Sequence, residues 1–315
     1  MIPESLRNIL RPICSKRQFR DTIRLIESIK YLDWRVWDRK GGNRCIYEAL
    51  RSDRPHAIGK LGSAEVAAIR QYLRYRSHPD RTKLTAQVRR ELFVNAGVFP
   101  DNYETFGRFC EYMLQQVLPQ VTMMAVWFNF QEAAIVKTYC QSPRLISLYS
   151  LGGYLSAMPW TTALQHRRVL LLHPFKSSIE QQFQKRKQVW GHLSQALPDF
   201  ELEVIAVPQS PALVPPRNKD WFESLALLQD EMARTRFDVA LIGAGAYSLP
   251  LAVHAKKLGR QAIHLGGETQ FLFGIKGGRW DQMPSCSKFY NEHWIRPLPE
   301  DTPQSNVQIE NGCYW

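Results

Sequence analysis

The sequence predicts an α/β protein built on a mainly parallel sheet with helices on both faces. Short apolar runs of strand length alternate with longer amphipathic stretches along most of the 315 residues. No internal repeat or low-complexity tract interrupts the alternation. Phe237 to Trp280 carries the pattern in its most complete form, as a strand, a glycine turn, a helix and a second strand.

Residues 1–52 predict a basic helical extension in front of the body, with two amphipathic stretches (Leu6, Leu10, Ile13, then Ile23, Ile26, Ile29) and a break near Gly41-Gly42. The body is expected over 53–300 and a short tail over 301–315, with the final run Val307 to Trp315 expected to dock on the body. Within the body, 57–60 reads as a strand, Gly62-Ser63 as a turn, and 64–75 as a helix with Val66, Ile69 and Leu73 on one face. Residues 84–116 read as helices around a loop at Pro100-Asp101-Asn102. Strands are expected over 121–128, 144–149 and 168–173, followed by one long polar helix over 177–197. A strand over 203–207, a proline-rich loop over 208–216 that borders a site, and a helix over 220–234 come next. The run 238–242 is apolar enough to be buried on both faces, and Gly243-Ala244-Gly245 follows it directly. Pro250 falls in the first turns of the next helix, Gly259 at its C-cap, and 261–265 returns as a parallel strand.

No run approaches the roughly 18 to 20 apolar residues of a membrane span, and the N-terminal residues lack the apolar core of a signal peptide. A cytoplasmic location is therefore expected. Six cysteines without a C-x-x-C pair or zinc spacing read as reduced thiols. The formal charge of +12 asks for an anionic partner. No helix-turn-helix, zinc-finger or RNA-recognition signature accompanies it, so nucleic acid is not the expected one. The basic, amphipathic N-terminal residues suit either an anionic membrane surface, with the protein peripheral at its inner face, or packing on the core.

In a parallel sheet, the strand ends that carry unusual residues share one edge, where ligands of open α/β sheets bind. Lys60, Gly62, Ser63 and Glu65 follow one strand, His173 and Lys176 another. Gly243, Gly245 and Tyr247 follow a third, and His264, Gly266 and Gly267 a fourth. Glycine turns, histidines, two lysines and one carboxylate suit a phosphate-bearing ligand. The match to a dinucleotide fingerprint is GAGAYS, with Ser248 at the third small-residue position and no acidic residue closing the second strand. No nicotinamide or flavin cofactor is expected. There is no G-x-S-x-G elbow and no G-x-x-x-x-G-K-[ST] loop, which removes serine hydrolases and ordinary nucleotide triphosphatases. Each residue also has a purely structural use. Glycines permit tight strand-to-helix packing, Glu65 can serve a helix dipole, and strand-end histidines can bond the backbone. Trp280, Trp294, Tyr247 and Phe273 suit a ligand ring or the core equally.

Ala57 to Glu65, AIGKLGSAE, resembles the opening motif of the GT-D type glycosyltransferases, in which a strand ends in an Arg-x-Gly-Asp-Gly-Glu-like turn. Asp238 to Ile242 and Gln261 to Gly267 follow the order of that family's closing strand, small-residue turn, helix and strand with a glycine-histidine turn. The blocks Phe273 to Gly277, Arg279-Trp280 and Asn291 to Trp294 are similar to proteins of bacterial capsule and surface-polysaccharide loci. The similarity spans 56–294 in separated blocks. It implies a Rossmann-like domain that moves a sugar from a nucleoside diphosphate donor to a glycan or lipid-linked hydroxyl acceptor, with an acidic motif near a manganese or magnesium ion. The family's first acidic residue falls on Ser63, which leaves Glu65 as the motif's one carboxylate, a metal or donor ligand or a general base. Magnesium commonly keeps waters and relies on substrate phosphates, so a single carboxylate can still orient it. Lys60, Lys176, Lys276 and Arg279 are the candidates to hold the departing diphosphate. His173 and His264 are candidates to bind it or to move a proton. A non-catalytic sensor of nucleotides or sugar phosphates is the rival, favoured by Ser63 in place of aspartate.

Overall fold

The computed structural model describes residues 16–208 and 216–315. Its strands are β1 (Val36–Trp37), β2 (His56–Gly59), β3 (Met123–Val126), β4 (Arg144–Ser147), β5 (Arg168–His173), β6 (Glu201–Ala206), β7 (Val239–Ile242) and β8 (Gln261–His264). They form a single eight-stranded sheet in the order β1-β4-β3-β2-β8-β7-β5-β6, parallel at each described pairing. β3, β7 and β8 are buried along their whole length. That is why they read as unbroken apolar runs instead of alternating ones.

Helices cover both faces, and the core falls into two halves. Ala240 and Ile242 of β7 face a half that holds Phe109, Trp221, Tyr247 and Ala252. Val239 and Leu241 face a half that holds Ile46, Trp160, Trp190 and Phe271. The period of two along the strand sends alternate side chains to opposite sides. At the margins, β1 is only two residues long, and β6 exposes Glu201, Glu203 and Ala206.

The sequence divides differently from expectation at its start. Gly41 and Gly42 lie inside the helix Arg39–Arg51, not at a break. Asp38 caps that helix by accepting the Gly41 amide at 2.7 Å. A Cβ at Gly42 would overlap Ser150 and sit 3.0 Å from Ile146 Cβ, so the glycine lets the helix press against the end of β4. Cys45, Ile46, Ala49 and Leu50 are buried in the core and β1 pairs with β4, so the sheet and its packing begin by residue 36, ahead of the boundary expected at 52. The helix Lys16–Ile29 stands before it, with Leu25 and Ile29 exposed at 64% and 54% and Leu32 beyond it at 82%. Leu6, Leu10, Ile13 and most of the proline-rich loop lie outside the described residues. The long helix expected over 177–197 is three shorter pieces, Lys176–Gln184, Arg186–Trp190 and a 3-10 segment Gly191–Ala196. The breaks allow Phe183, Val189 and Trp190 all to reach the core, where Trp190 Nε1 donates to the Leu272 carbonyl at 2.9 Å. Among the described residues the five cysteines are free, and no helix is long and apolar enough to cross a membrane.

Gly42 offers a test in which two effects have opposite signs. Alanine is the better helix former by about 0.8–1 kcal/mol, but overpacking a tight contact costs about 1–3 kcal/mol. The Ser150 overlap decides it. Gly42→Ala is expected to lower the urea midpoint, and a variant at least as stable as the parent would show that this helix does not bear on β4.

Candidate active site

The ends of β2, β5, β7 and β8 surround a cavity of about 180 Å³ at the carboxyl edge of the sheet. β2 delivers Lys60, half-buried, with its ammonium 5.0 Å from the centre of the Trp127 ring. Loss of solvent pushes its pKa down, and the nearby Glu65 carboxylate works against that shift. The helix Ser63–Tyr75 then starts at Gly62 with no side-chain cap. Glu65 sits in its first turn, buried, and its carboxyl folds back into the space that a side chain at Gly62 would fill. Burial raises the Glu65 pKa, opposed by its own backbone amide and by Lys60. Ser63 is exposed at the cavity wall.

The two histidines are buried and serve the backbone. His173 Nδ1 accepts the Phe175 amide at 3.0 Å, which assigns its ring proton to Nε2 in the neutral form. His264 Nδ1 lies 3.1 Å from the Lys60 carbonyl. A carbonyl only accepts, so Nδ1 carries the proton and Nε2 keeps its lone pair. Burial pushes both pKa values down to about 3, assisted at His264 by the Lys60 charge. Burial thus favours the neutral rings, which serve in this structure as hydrogen-bonding partners.

β7 brings the glycine turn. A Cβ at Gly243 would stand 2.7 Å from His173 Cδ2, 2.7 Å from Thr269 Oγ1 and 2.8 Å from the Gly266 carbonyl. Gly245 adopts φ +54° against the Ala96 carbonyl. Ser248 is fully buried, and its hydroxyl accepts the Ala244 amide at 2.8 Å. That bond consumes an amide that glycine or alanine at 248 would leave open. Tyr247 reaches the cavity, but its ring is stacked on Trp221 at 5.1 Å and belongs to the core.

Gly266 and Gly267 close the cavity from β8. A side chain at Gly267 would press on Arg279 Nη1 at 2.9 Å. Arg279 is in turn held by the C-terminal residues. Its Nη2 pairs with Glu310 and donates to Tyr314 Oη at 3.1 Å. Its backbone amide donates to the Cys313 carbonyl at 2.9 Å and that of Gly278 to the Trp315 carbonyl at 3.1 Å. Ile309, Glu310, Tyr314 and Trp315 thereby form one wall. The expected docking of Val307 to Trp315 on the body did not extend to a cavity wall, because the only local sign is the aromatic pair Tyr314-Trp315 four residues after Glu310. Trp127 was missed too, although it lies within the β-prone run expected over 121–128. Glu132 fixes that turn by accepting the Trp127 amide at 3.0 and 3.2 Å.

Two expected cations stay out of the cavity. Lys176 lies along its own helix, 3.7 Å from Glu180. Lys276 is placed over the Tyr290 ring at 5.4 Å, because Ile275 bridges to Ile295 and carries the chain away. Phe273, Trp280 and Trp294 are core residues. Among the described residues no three His, Cys, Asp or Glu side chains gather to hold a metal ion. Glu65 is the motif's one carboxylate here, and the donor set does not fit a manganese or magnesium ion held by protein ligands alone.

No family model and no curated protein matches the chain. Two solved structures resemble it distantly. One, a selenomethionine structure of domain of unknown function 1792, is 13% identical with a TM-score of 0.43, over 90% of this chain and 97% of that one. The other, of the same domain and described as having a distinct glycosyltransferase fold, is 12% identical with a TM-score of 0.45, over 90% and 96%. Likenesses at these scores transfer no activity to this chain, whose α/β class rests on its own sheet.

The histidine assignments predict a pH profile. Unfolded histidines take up protons near 6.5, whereas these two stay neutral to about 3. The unfolded state therefore binds more protons below pH 6.5. Their contribution is fully present above that value and is lost as pH falls toward 3, by up to about 1.4 kcal/mol per pH unit for each ring. Side-chain ¹⁵N spectra at pH 6 are expected to show His173 protonated at Nε2 only and His264 at Nδ1 only. An imidazolium signal from either ring at that pH would contradict the burial argument.

Proposed function

We propose that the chain is a glycosyltransferase that moves a sugar from a nucleoside diphosphate donor to a hydroxyl acceptor in surface-polysaccharide or glycoconjugate assembly. The observation that carries this is the charge layout of the cavity. Lys60 and Arg279 both line it, 3.2 Å and 2.9 Å from where side chains at the adjacent Gly266 and Gly267 would begin, with Glu65 buried beside Lys60. In this reading the diphosphate lies between the two cations. The uncapped first turn of the helix Ser63–Tyr75 adds amides and a favourable dipole. As the bond from the anomeric carbon to the phosphate oxygen breaks, its electron pair leaves with the diphosphate, where Lys60 and Arg279 meet the growing charge. The acceptor oxygen forms the new bond, and its proton passes to Glu65. A divalent ion would have to arrive on the donor phosphates, and Glu65 would then be its protein carboxylate in place of the base.

The cavity volume adds a condition. Pockets that bury a drug-sized ligand measure roughly 300–1,000 Å³, and this one measures about 180 Å³. A whole nucleotide sugar enters only if the C-terminal wall yields. Glu310 then acts as the internal anion that the diphosphate replaces on Arg279. The exposed Leu25, Ile29 and Leu32 beside Arg20 and Arg24 suit a lipid-linked acceptor at the inner face of a membrane, with the protein in the cytoplasm. Ser63, exposed where the family has an acid, favours the second reading, a sensor of nucleotides or sugar phosphates.

Calorimetry across nucleoside diphosphates and nucleotide sugars, with and without manganese, tests the site. One donor is expected to bind selectively, and Lys60→Ala and Arg279→Ala are each expected to weaken it by about tenfold, near 1.4 kcal/mol. Glu65→Gln should keep binding and lower the transfer rate by about 10²-fold or more. Binding without transfer to any acceptor would favour the sensor, and no binding across the panel would sink both readings. Glu310→Gln is expected to tighten donor binding, since it removes a competitor for Arg279; weaker binding would show that Glu310 helps to hold the donor instead.

A further inference from the structure

A second concave surface lies at the opposite, amino edge of the sheet. The starts of β2, β3 and β4, with the residues just ahead of β1, open into a groove of about 740 Å³. That volume is within the range of ligand sites, and the edge is not the one where the strand-end turns gather. The groove walls are basic. Arg35, Arg54 and Arg144 are all exposed there, and none of the three has a carboxylate partner among the described residues. Several arginines elsewhere are paired with acids, Arg168 with Asp238, Arg186 with Asp199 and Arg296 with Asp281. The acid on the groove wall, Glu48, is drawn to Arg44 one helical turn away at 2.8 Å. His56 registers the resulting field. Its pKa is lowered first by burial and then by the charges of Arg144, Lys256 and Arg54.

The aromatic residues of the groove narrow the ligand class. The Arg35 guanidinium lies over the Trp37 ring at 3.5 Å, which holds its planar fork of donors in a fixed orientation. Trp34 is half-buried against the core. The indoles thus brace a guanidinium and fill the groove floor, and neither stands free to be sandwiched with a base. Grooves for single-stranded nucleic acid combine backbone contacts with base stacking. Here the anion contacts are present without the stacking platform. Arginine forks match carboxylate and phosphate oxygens, and an open groove takes an extended chain.

We propose that this groove is a second ligand site, for an acidic saccharide chain whose carboxylate or phosphate groups engage Arg35, Arg54 and Arg144. Its role rests on the transferase reading, in which it grips an acceptor chain away from the carboxyl edge, but binding to it requires no donor. Calorimetry and tryptophan fluorescence with an octagalacturonate, an uncharged dextran octamer and a thymidine octanucleotide, all without donor, test the site. The galacturonate is expected to bind, to weaken as salt is raised, and to exceed both other probes by at least about tenfold. Arg35→Gln with Arg54→Ser should lose about tenfold or more, while the cavity variant Lys60→Ala keeps the binding. If the double variant does not fold, Arg54→Ser alone, at an exposed position, should still lose about threefold. No galacturonate binding, equal binding by the variants, or preference for dextran or for the oligonucleotide would each overturn the proposal. Failure of glycosyl transfer leaves all these measurements standing, so the two readings fail separately.

Discussion

The candidate active site depends on the lack of room at Gly243. Side chains and backbone from β5, from the turn after β8 and from the helix that follows it all come within 3 Å of where a Cβ would stand. Because those elements meet so closely, His173 is packed dry. A similar approach at Gly59, where a Cβ would lie 2.9 Å from His264 Cβ and 2.7 Å from Leu249, seals the second imidazole. Dryness keeps both rings neutral, and neutrality leaves each with one donor and one acceptor nitrogen. One nitrogen of each is committed to the main chain. His264 thereby anchors the Lys60 carbonyl, and the direction in which Lys60 leaves the strand follows from the glycine just before it.

The charges in the cavity are balanced by groups from distant parts of the chain. Lys60 and Glu65 come from one turn, Arg279 from the short helix Gly278–Asp281 and Glu310 from the last residues, and Glu310 also bears on the titration of both Lys60 and Glu65. The cost of separating Arg279 from Glu310 depends on exposure. Breaking a fully buried pair costs about 3–5 kcal/mol, but these side chains are 34% and 40% exposed. Such a pair is worth about 0–1 kcal/mol. The wall is therefore held chiefly by its main-chain bonds to Gly278 and Arg279 and by the Phe175–Trp315 ring contact at 5.6 Å.

Legibility in the sequence followed burial. Strands buried on both faces appear as apolar runs, so β2, β3, β5, β7 and β8 were visible to within a few residues; β4 and β6, exposed at some positions, still showed their apolar centres, and the turns after β2, β5, β7 and β8 could be gathered on one edge from parallel topology alone. β1 was invisible because two residues carry no period. The glycines at 41 and 42 misled because loop punctuation and close helix packing call for the same residue. Lys176 and Lys276 stand beside the motifs in sequence, yet an i,i+4 ion pair and a bridge to Ile295 turn them away. Neighbourhood in the chain places a backbone and leaves the side chain's direction open. The C-terminal wall was hidden for the opposite reason. Its residues are far in sequence from the turns they cover, and no local pattern announces a long-range contact.

The margins of the sheet have a bearing on how the protein behaves in company. A strand edge with free amides and carbonyls invites another chain to add to it. One margin here, β1, is too short to template such an addition. The other, β6, carries Glu201 and Glu203 exposed, and two glutamates would be set against their own kind if two copies met edge to edge. Fibril-like stacking and strand exchange are thereby discouraged at both ends of a sheet whose interior is strongly apolar. Crowding the protein to high concentration should not lengthen its sheet.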